Sequence, residues 1–149
     1  MLDLFVPTRY LPPGKNSIFC KLLSVVLSTL APRSFYSWLK DLTNHNYELN
    51  LHYIWLRTPQ LAVERVLSRV KIGGHFVPPN TVYRRYYSGI KNFFNLYQPL
   101  AKSWIVYDNS GLATPECIAY GSYSHTLTVV EPELWDQFRK GGTDGKTQQ

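Results

Sequence analysis

Apolar and polar positions alternate along this chain in a way that reads as strands interleaved with helices. Leu22 to Thr29 is a largely apolar run of the kind buried on both faces of a sheet. Pro32 suits a first helical position, and Phe35, Trp38, Leu39 and Leu42 follow with the spacing of one helix face, predicting a helix that ends around Asn44 to Asn46. Leu49 to Leu56 has the β-branched and aromatic content of a central strand and is stopped by Arg57-Thr58-Pro59. Gln60 to Lys71 predicts an amphipathic helix with Leu61, Val63, Val66, Leu67 and Val70 inward. The loop Gly73-Gly74-His75-Phe76-Val77 ends it, and a long helix follows from Pro78 or Pro79 to about Gln98, burying Val82, Tyr86, Ile90, Phe93, Phe94 and Tyr97.

Ser103 to Tyr107 predicts a third strand. The runs Glu116 to Tyr120 and Thr126 to Val130, joined by a loop containing Gly121, predict a hairpin at the sheet edge, and Glu131 to Phe138 a closing helix. The expected fold class is therefore α/β: a mostly parallel sheet flanked by helices, with a C-terminal antiparallel β-hairpin. With 149 residues, 44% of them hydrophobic, the chain suits one domain with a real core. The Gly/Thr/Gln-rich stretch 140–149 is expected to be a disordered tail.

Charge sharpens this picture because it is unevenly placed. The formal net charge is +6, and the stretch from 57 to 102 holds Arg57, Arg65, Arg69, Lys71, Arg84, Arg85, Lys91 and Lys102 against Glu64 alone. Such clustering points to an anion-binding face or a nucleic-acid footprint, where a merely solvated basic surface would not need it. Two cysteines, Cys20 and Cys117, are too few for a disulfide framework, and no Cys/His spacing matches a zinc site. A reducing cytosolic (cytoplasmic) location is expected, with no membrane partner. Ile18 to Ala31 is interrupted by Lys21 and is shorter than the ~20 apolar residues of a membrane span.

The densest group of candidate residues is RVKIGGHFVPPNTVYRRY, residues 69 to 86. It sets Arg69 near the end of one helix and Arg84 with Arg85 on the first turns of the next, so that guanidinium groups can converge on phosphate oxygens. Two readings stand for them: an anion clamp, or a solvated helix pair in which they face Glu64. Asp108-Asn109-Ser110-Gly111 follows a strand, where open parallel sheets place ligands; the same four residues are also ordinary turn formers. His75 suits a loop-ordering imidazole better than a catalytic base, and Gly73 with Gly74 suits bending of the loop better than cradling phosphate.

The stretch resembles the hallmark segment of zeta-toxin-like P-loop kinases, R-V-x-x-G-G-H-x-V-P followed by a helix with R-R-Y. Neighbouring features are similar in the same order: Tyr53-Ile54-Trp55-Leu56 ending a strand, Glu64-Arg65-Val66 in the next helix, Leu96-Tyr97 before Pro99-Leu100, and Trp104 through Tyr107-Asp108-Asn109-Ser110-Gly111. Ser28-Thr29-Leu30 before Arg33-Ser34-Phe35 also looks like the family's strand-to-helix junction. The resemblance covers residues 24–139 as a truncated C-terminal half of the domain and leaves 1–23 unmatched. It implies a partial P-loop kinase fold and ATP with Mg²⁺ as family cofactors, which are not expected to bind stably here. It also implies Arg69, Arg84 and Arg85 as lid residues over the phosphates, and Asp108, Asn109 and Ser110 beside the adenine. An antitoxin, or a missing N-terminal half, is the implied partner.

One part of such a kinase is missing. No G-x-x-x-x-G-K-[ST] is present, and Pro13-Gly14-Lys15-Asn16-Ser17 has Arg9 where its first glycine would stand, no expected strand before it, and Asn16 in place of the hydroxyl residue. The family's acidic residue before Thr-Leu is absent too, where Leu27 and Ser28 stand. The expectation is a truncated or frame-shifted homologue that cannot transfer phosphate by itself, with an exposed sheet edge or a partner strand where a central strand is lost. The alternatives are a basic module that binds nucleic acid or another anionic ligand through Arg84, Arg85, Tyr86, Tyr87 and Lys91, and an intact kinase using Lys15.

Overall fold

The computed structural model describes residues 3–9, 26–28, 30–111 and 113–143. Its elements are β1 (Asp3–Arg9), β2 (Val26–Ser28), α1 (Ser34–Asn44), β3 (Tyr47–Trp55), α2 (Pro59–Lys71), α3 (Pro79–Asn92), β4 (Ser103–Asp108), β5 (Glu116–Ser122), β6 (His125–Val129) and α4 (Pro132–Thr143). A π-helical turn, Phe93–Tyr97, and a 3₁₀ turn, Gln98–Leu100, continue α3. The fold is α/β with a mixed six-stranded sheet in the order β2-β1-β3-β4-β5-β6.

The expectation of a mostly parallel sheet is corrected. Only β3 and β4 are parallel neighbours; β1 runs antiparallel to both β2 and β3, and β4-β5 and β5-β6 are antiparallel. Helical connections do make β2, β3 and β4 codirectional, but β1 lies reversed between β2 and β3. A strand thus precedes Pro13-Gly14-Lys15, where none was expected. Asp3–Arg9 escaped the pattern reading because Pro7 interrupts it. Pro7 lies beyond the described β1–β2 pairs, which end at Phe5, and stands opposite Leu49 of β3.

The strand expected from Leu22 to Thr29 is described only as β2; 22–25 and Thr29 lie outside the described residues. The helix expected from Pro32 starts at Ser34. The long helix changes character at Phe93, where the wider turn seats Phe93 and Tyr97 in the core. The closing helix α4 runs on to Thr143, so residues 140–143 of the expected tail are helical, and 144–149 lie outside the described residues. The hairpin is as expected, but its turn is Tyr123-Ser124 and Gly121 belongs to β5. Gly121 is there for space: a Cβ would stand 2.4 Å from Trp104 Cζ2 and 2.1 Å from the His125 carbonyl oxygen. The left-handed Tyr123 (φ 49°) is held by its N–H donating to Ala101 O and its carbonyl accepting from Trp104 Nε1.

Alternate residues of β3 (Leu49, Leu51, Tyr53, Trp55) and of β4 (Trp104, Val106, Asp108) are buried, while the residues between them are half-buried. The buried face carries an aromatic core. Phe93 meets Tyr53, Trp104 and Phe138 at ring separations of 5.1, 5.8 and 5.4 Å, and Trp104 stacks on Trp135 at 5.6 Å. Such contacts lock α3 and α4 against the sheet.

Sharp stops make α2 well defined. Thr58 Oγ1 accepts the Leu61 N–H and Pro59 occupies the first turn. At the other end the Gly73 N–H reaches Val70 O and the Gly74 N–H reaches Arg69 O, a Schellman closure with Gly73 left-handed at φ 91°. The two glycines, read from sequence as permitting the loop to bend, are thus committed to ending a helix. Gly73→Ala is expected to cost about 1 kcal/mol for the left-handed conformation alone. Gly74→Ala, whose Cβ would lie 2.7 Å from Arg69 O, is expected to cost more. Urea denaturation of both variants checks the order.

Candidate anion-binding site

The C-terminal ends of β3 and β4 meet at one edge, with Trp55 opposite Asp108. Three connections leave from it: the Arg57-Thr58 entry into α2, the turn after Asp108, and the contact with α3. Tyr86 makes that last contact. Its hydroxyl donates to Leu56 O at 2.7 Å and accepts from Trp55 Nε1 at 3.0 Å, and burial pushes its pKa up.

Asp108 ties the two strand ends together. Its Oδ2 accepts from Arg57 Nε and Nη2 at 2.8 and 2.7 Å, and its Oδ1 accepts from Ser110 N and Oγ at 2.9 and 2.5 Å. Ser110 Oγ in turn accepts the Arg57 N–H, and Gln137 Nε2 donates to Arg57 O. The carboxylate is 5% exposed and both of its oxygens are occupied. Of the three residues expected beside a base, Asp108 and Ser110 are thus turned into their own turn. Asn109 offers the outward side chain: its backbone N–H donates to Trp55 O and its carbonyl accepts from Arg65 Nη2. Arg65 also donates to Gly111 O, so it holds this turn down on α2.

The arginines expected as a lid are less occupied. Among the described residues, no carboxylate pairs with Arg69, Arg84 or Arg85, whereas Arg57 pairs with Asp108 and Lys102 with Glu48. Arg69 and Arg85 line a small hollow of about 80 Å³ between α2 and α3, with Ala62, Val66, Val77, Val82 and Tyr86 forming the rest of its wall. Arg69 also lines a larger hollow of about 470 Å³, with Ile54, Leu56, Arg65, Ser68, Asn109 and Pro115. One guanidinium is thereby shared by both spaces. Arg84 is exposed and lines neither, and His75 is exposed on the loop.

Neither hollow is lined by a carboxylate, a histidine or a cysteine. Among the described residues no group of three or more His, Cys, Asp or Glu could hold a metal ion. The lining residues therefore suit a phosphate oxygen and do not suit Mg²⁺. A third hollow of about 380 Å³ lies between α3 and α4; Arg57, Tyr86 and Tyr87, named from sequence, are in its wall with Glu133, Gln137 and Lys140, which were not. On the half-buried sheet face, His52 and Tyr107 stack at 6.0 Å, and burial lowers the histidine pKa and raises those of Tyr107 and Cys117. All three are neutral near pH 7, so Cys117 is a thiol and no activated nucleophile.

Comparison of the chain with protein-family models, curated proteins and solved structures found no match in any of the three. The fold and the edge together define an α/β domain with a basic cleft where two parallel strands end.

Two substitutions test this construction. Tyr86→Phe removes a hydroxyl that satisfies two buried groups and is expected to cost about 1–3 kcal/mol. Asp108→Ala, which strands a half-exposed Arg57, is expected to cost about 2 kcal/mol after allowance for solvent at the guanidinium. Chemical denaturation measures both.

Proposed function

We propose that this chain is the lid and base-binding half of a zeta-toxin-like P-loop kinase homologue, which holds a phosphate-bearing ligand, of the nucleotide class, without transferring phosphate by itself. The observation that carries the proposal is the position of Arg69: it borders both hollows, with Arg85 in the smaller and Asn109 in the larger, and has no carboxylate partner among the described residues. A phosphate at Arg69 can be neutralised from both helices. A planar group beside it would rest on Ile54, Leu56 and Pro115, next to the Asn109 amide.

Catalysis of phosphoryl transfer needs more than neutralisation, because positioning supplies most of the rate. The chain has no G-x-x-x-x-G-K-[ST] to seat the β-phosphate. The reversed direction of β1 supports the same conclusion. That strand ends with Arg9 opposite Tyr47, where β3 begins, so it delivers the chain to the edge away from Asp108 and Arg57. Binding without a metal and without turnover is the behaviour this arrangement supports.

A second reading, a surface for nucleic acid, draws on Arg84 and Lys91, both exposed on α3 and outside the two hollows at Arg69. Calorimetric titration with pyrophosphate and ADP in EDTA separates the two. Binding is expected to weaken at least about tenfold in Arg69→Ala, the range of one charge-assisted contact, and to change little in Arg84→Ala. ATP is expected to remain unhydrolysed. Absent binding, or equal losses in the two variants, would contradict the proposal, and steeply salt-dependent RNA binding lost with Arg84 would favour the second reading.

A further inference from the structure

The loop between α2 and α3 presents its apolar residues to water. Ile72 is 84% exposed and Phe76 52%, on either side of Gly73-Gly74-His75, and Leu67, within α2, is 42% exposed. Neither Ile72 nor Phe76 lines the hollows at Arg69. Large side chains left this open on a helix-hairpin tip call for an occupant.

The tip is held in shape from both ends. The Schellman closure fixes the exit from α2, while Val77 is tucked into the small hollow and Pro78-Pro79 leads directly into α3. The outward direction of Ile72 and Phe76 therefore belongs to the folded loop. Lys71 immediately precedes Ile72, Arg69 lies two residues further back on α2 and the exposed Arg84 eight residues after Phe76 on α3, and Glu64 is the one acidic residue from 57 to 102.

We infer that this tip docks the protein on an anionic lipid surface, with Ile72 and Phe76 entering the headgroup–acyl boundary and Lys71 and Arg84 facing the headgroups. Apolar insertion combined with a basic collar is the combination that peripheral binding requires. Nucleic acid satisfies the collar but offers an aliphatic isoleucine no apolar phase to enter, and base stacking uses aromatic rings. Among the described residues no helix is long and apolar enough to cross a membrane. That fact concerns spanning segments and leaves surface docking open, so the inference departs from the sequence-based expectation of no membrane partner.

Flotation of the full chain with phosphatidylcholine vesicles, with and without about 30 mol% phosphatidylserine, tests the inference at about 0.1 M salt. The chain is expected to float with the anionic vesicles and not with the neutral ones. Ile72→Asp combined with Phe76→Asp is expected to lower the partition coefficient at least about tenfold, with an unchanged circular dichroism spectrum; Phe76→Ser alone gives a smaller loss in the same direction. Failure of the wild type to float, equal flotation on neutral vesicles, or full flotation of the double variant would each overturn it. Pyrophosphate titration of the same double variant reports separately on the Arg69 hollows, so loss of lipid binding with retained pyrophosphate binding reads on the tip alone.

Discussion

The hydroxyl of Tyr86 is the point on which the functional edge depends. It bridges the Trp55 indole N–H and the Leu56 carbonyl, joining the end of β3 to the second turn of α3. The residue before it in the chain is Arg85, so the bond that fixes the helix also fixes where that guanidinium starts. Below the bridge, the aromatic contacts of Phe93, Phe138, Trp104 and Trp135 hold the rest of α3 and α4 on the sheet. Above it, Asp108 and Arg57 close the two strand ends into one rigid corner.

What remains after this corner is built defines what the protein can do. The basic residues from 57 to 102 divide into those absorbed by the fold and those left over. Arg57 and Lys102 pair with carboxylates and Arg65 holds the turn after Asp108, while Arg69 and Arg85 border a hollow with no carboxylate partner among the described residues. A cation bonded to a carboxylate is already largely neutralised, whereas an unpaired arginine beside an apolar hollow keeps its attraction for an anion. No carboxylate lines either hollow, and the proposal of binding without phosphoryl transfer rests on that lining together with the missing G-x-x-x-x-G-K-[ST].

Much of the fold was legible in the pattern of residues because burial sets that pattern. The stripe Val82, Tyr86, Ile90, Phe93 and Tyr97, the strand around Tyr53, and the hairpin each follow from which side chains face the core. Strand direction was not legible, since apolar periodicity is the same for either direction, and Pro7 concealed β1. At the edge, Arg69 and Arg85 were found from charge clustering, and they do share a hollow. Arg84 was grouped with them by adjacency, although neighbours in a helix point about 100° apart. The turn after β4 was seen as a unit, but which of its residues face inward depends on Arg57, a partner fifty-one positions away. The apolar tip at Ile72 was hidden because a pattern shows that a residue is apolar and not whether anything covers it.

The central claim is that Arg69 and Arg85 are open to an anion while Arg57 is not. Nitrogen-15 NMR of the arginine Nε–H groups during addition of pyrophosphate addresses it directly. The account predicts that the Arg69 and Arg85 signals move together and saturate, while that of Arg57, bonded to Asp108, stays in place. Movement of none, or equal drift of every arginine as expected from ionic strength alone, would contradict it.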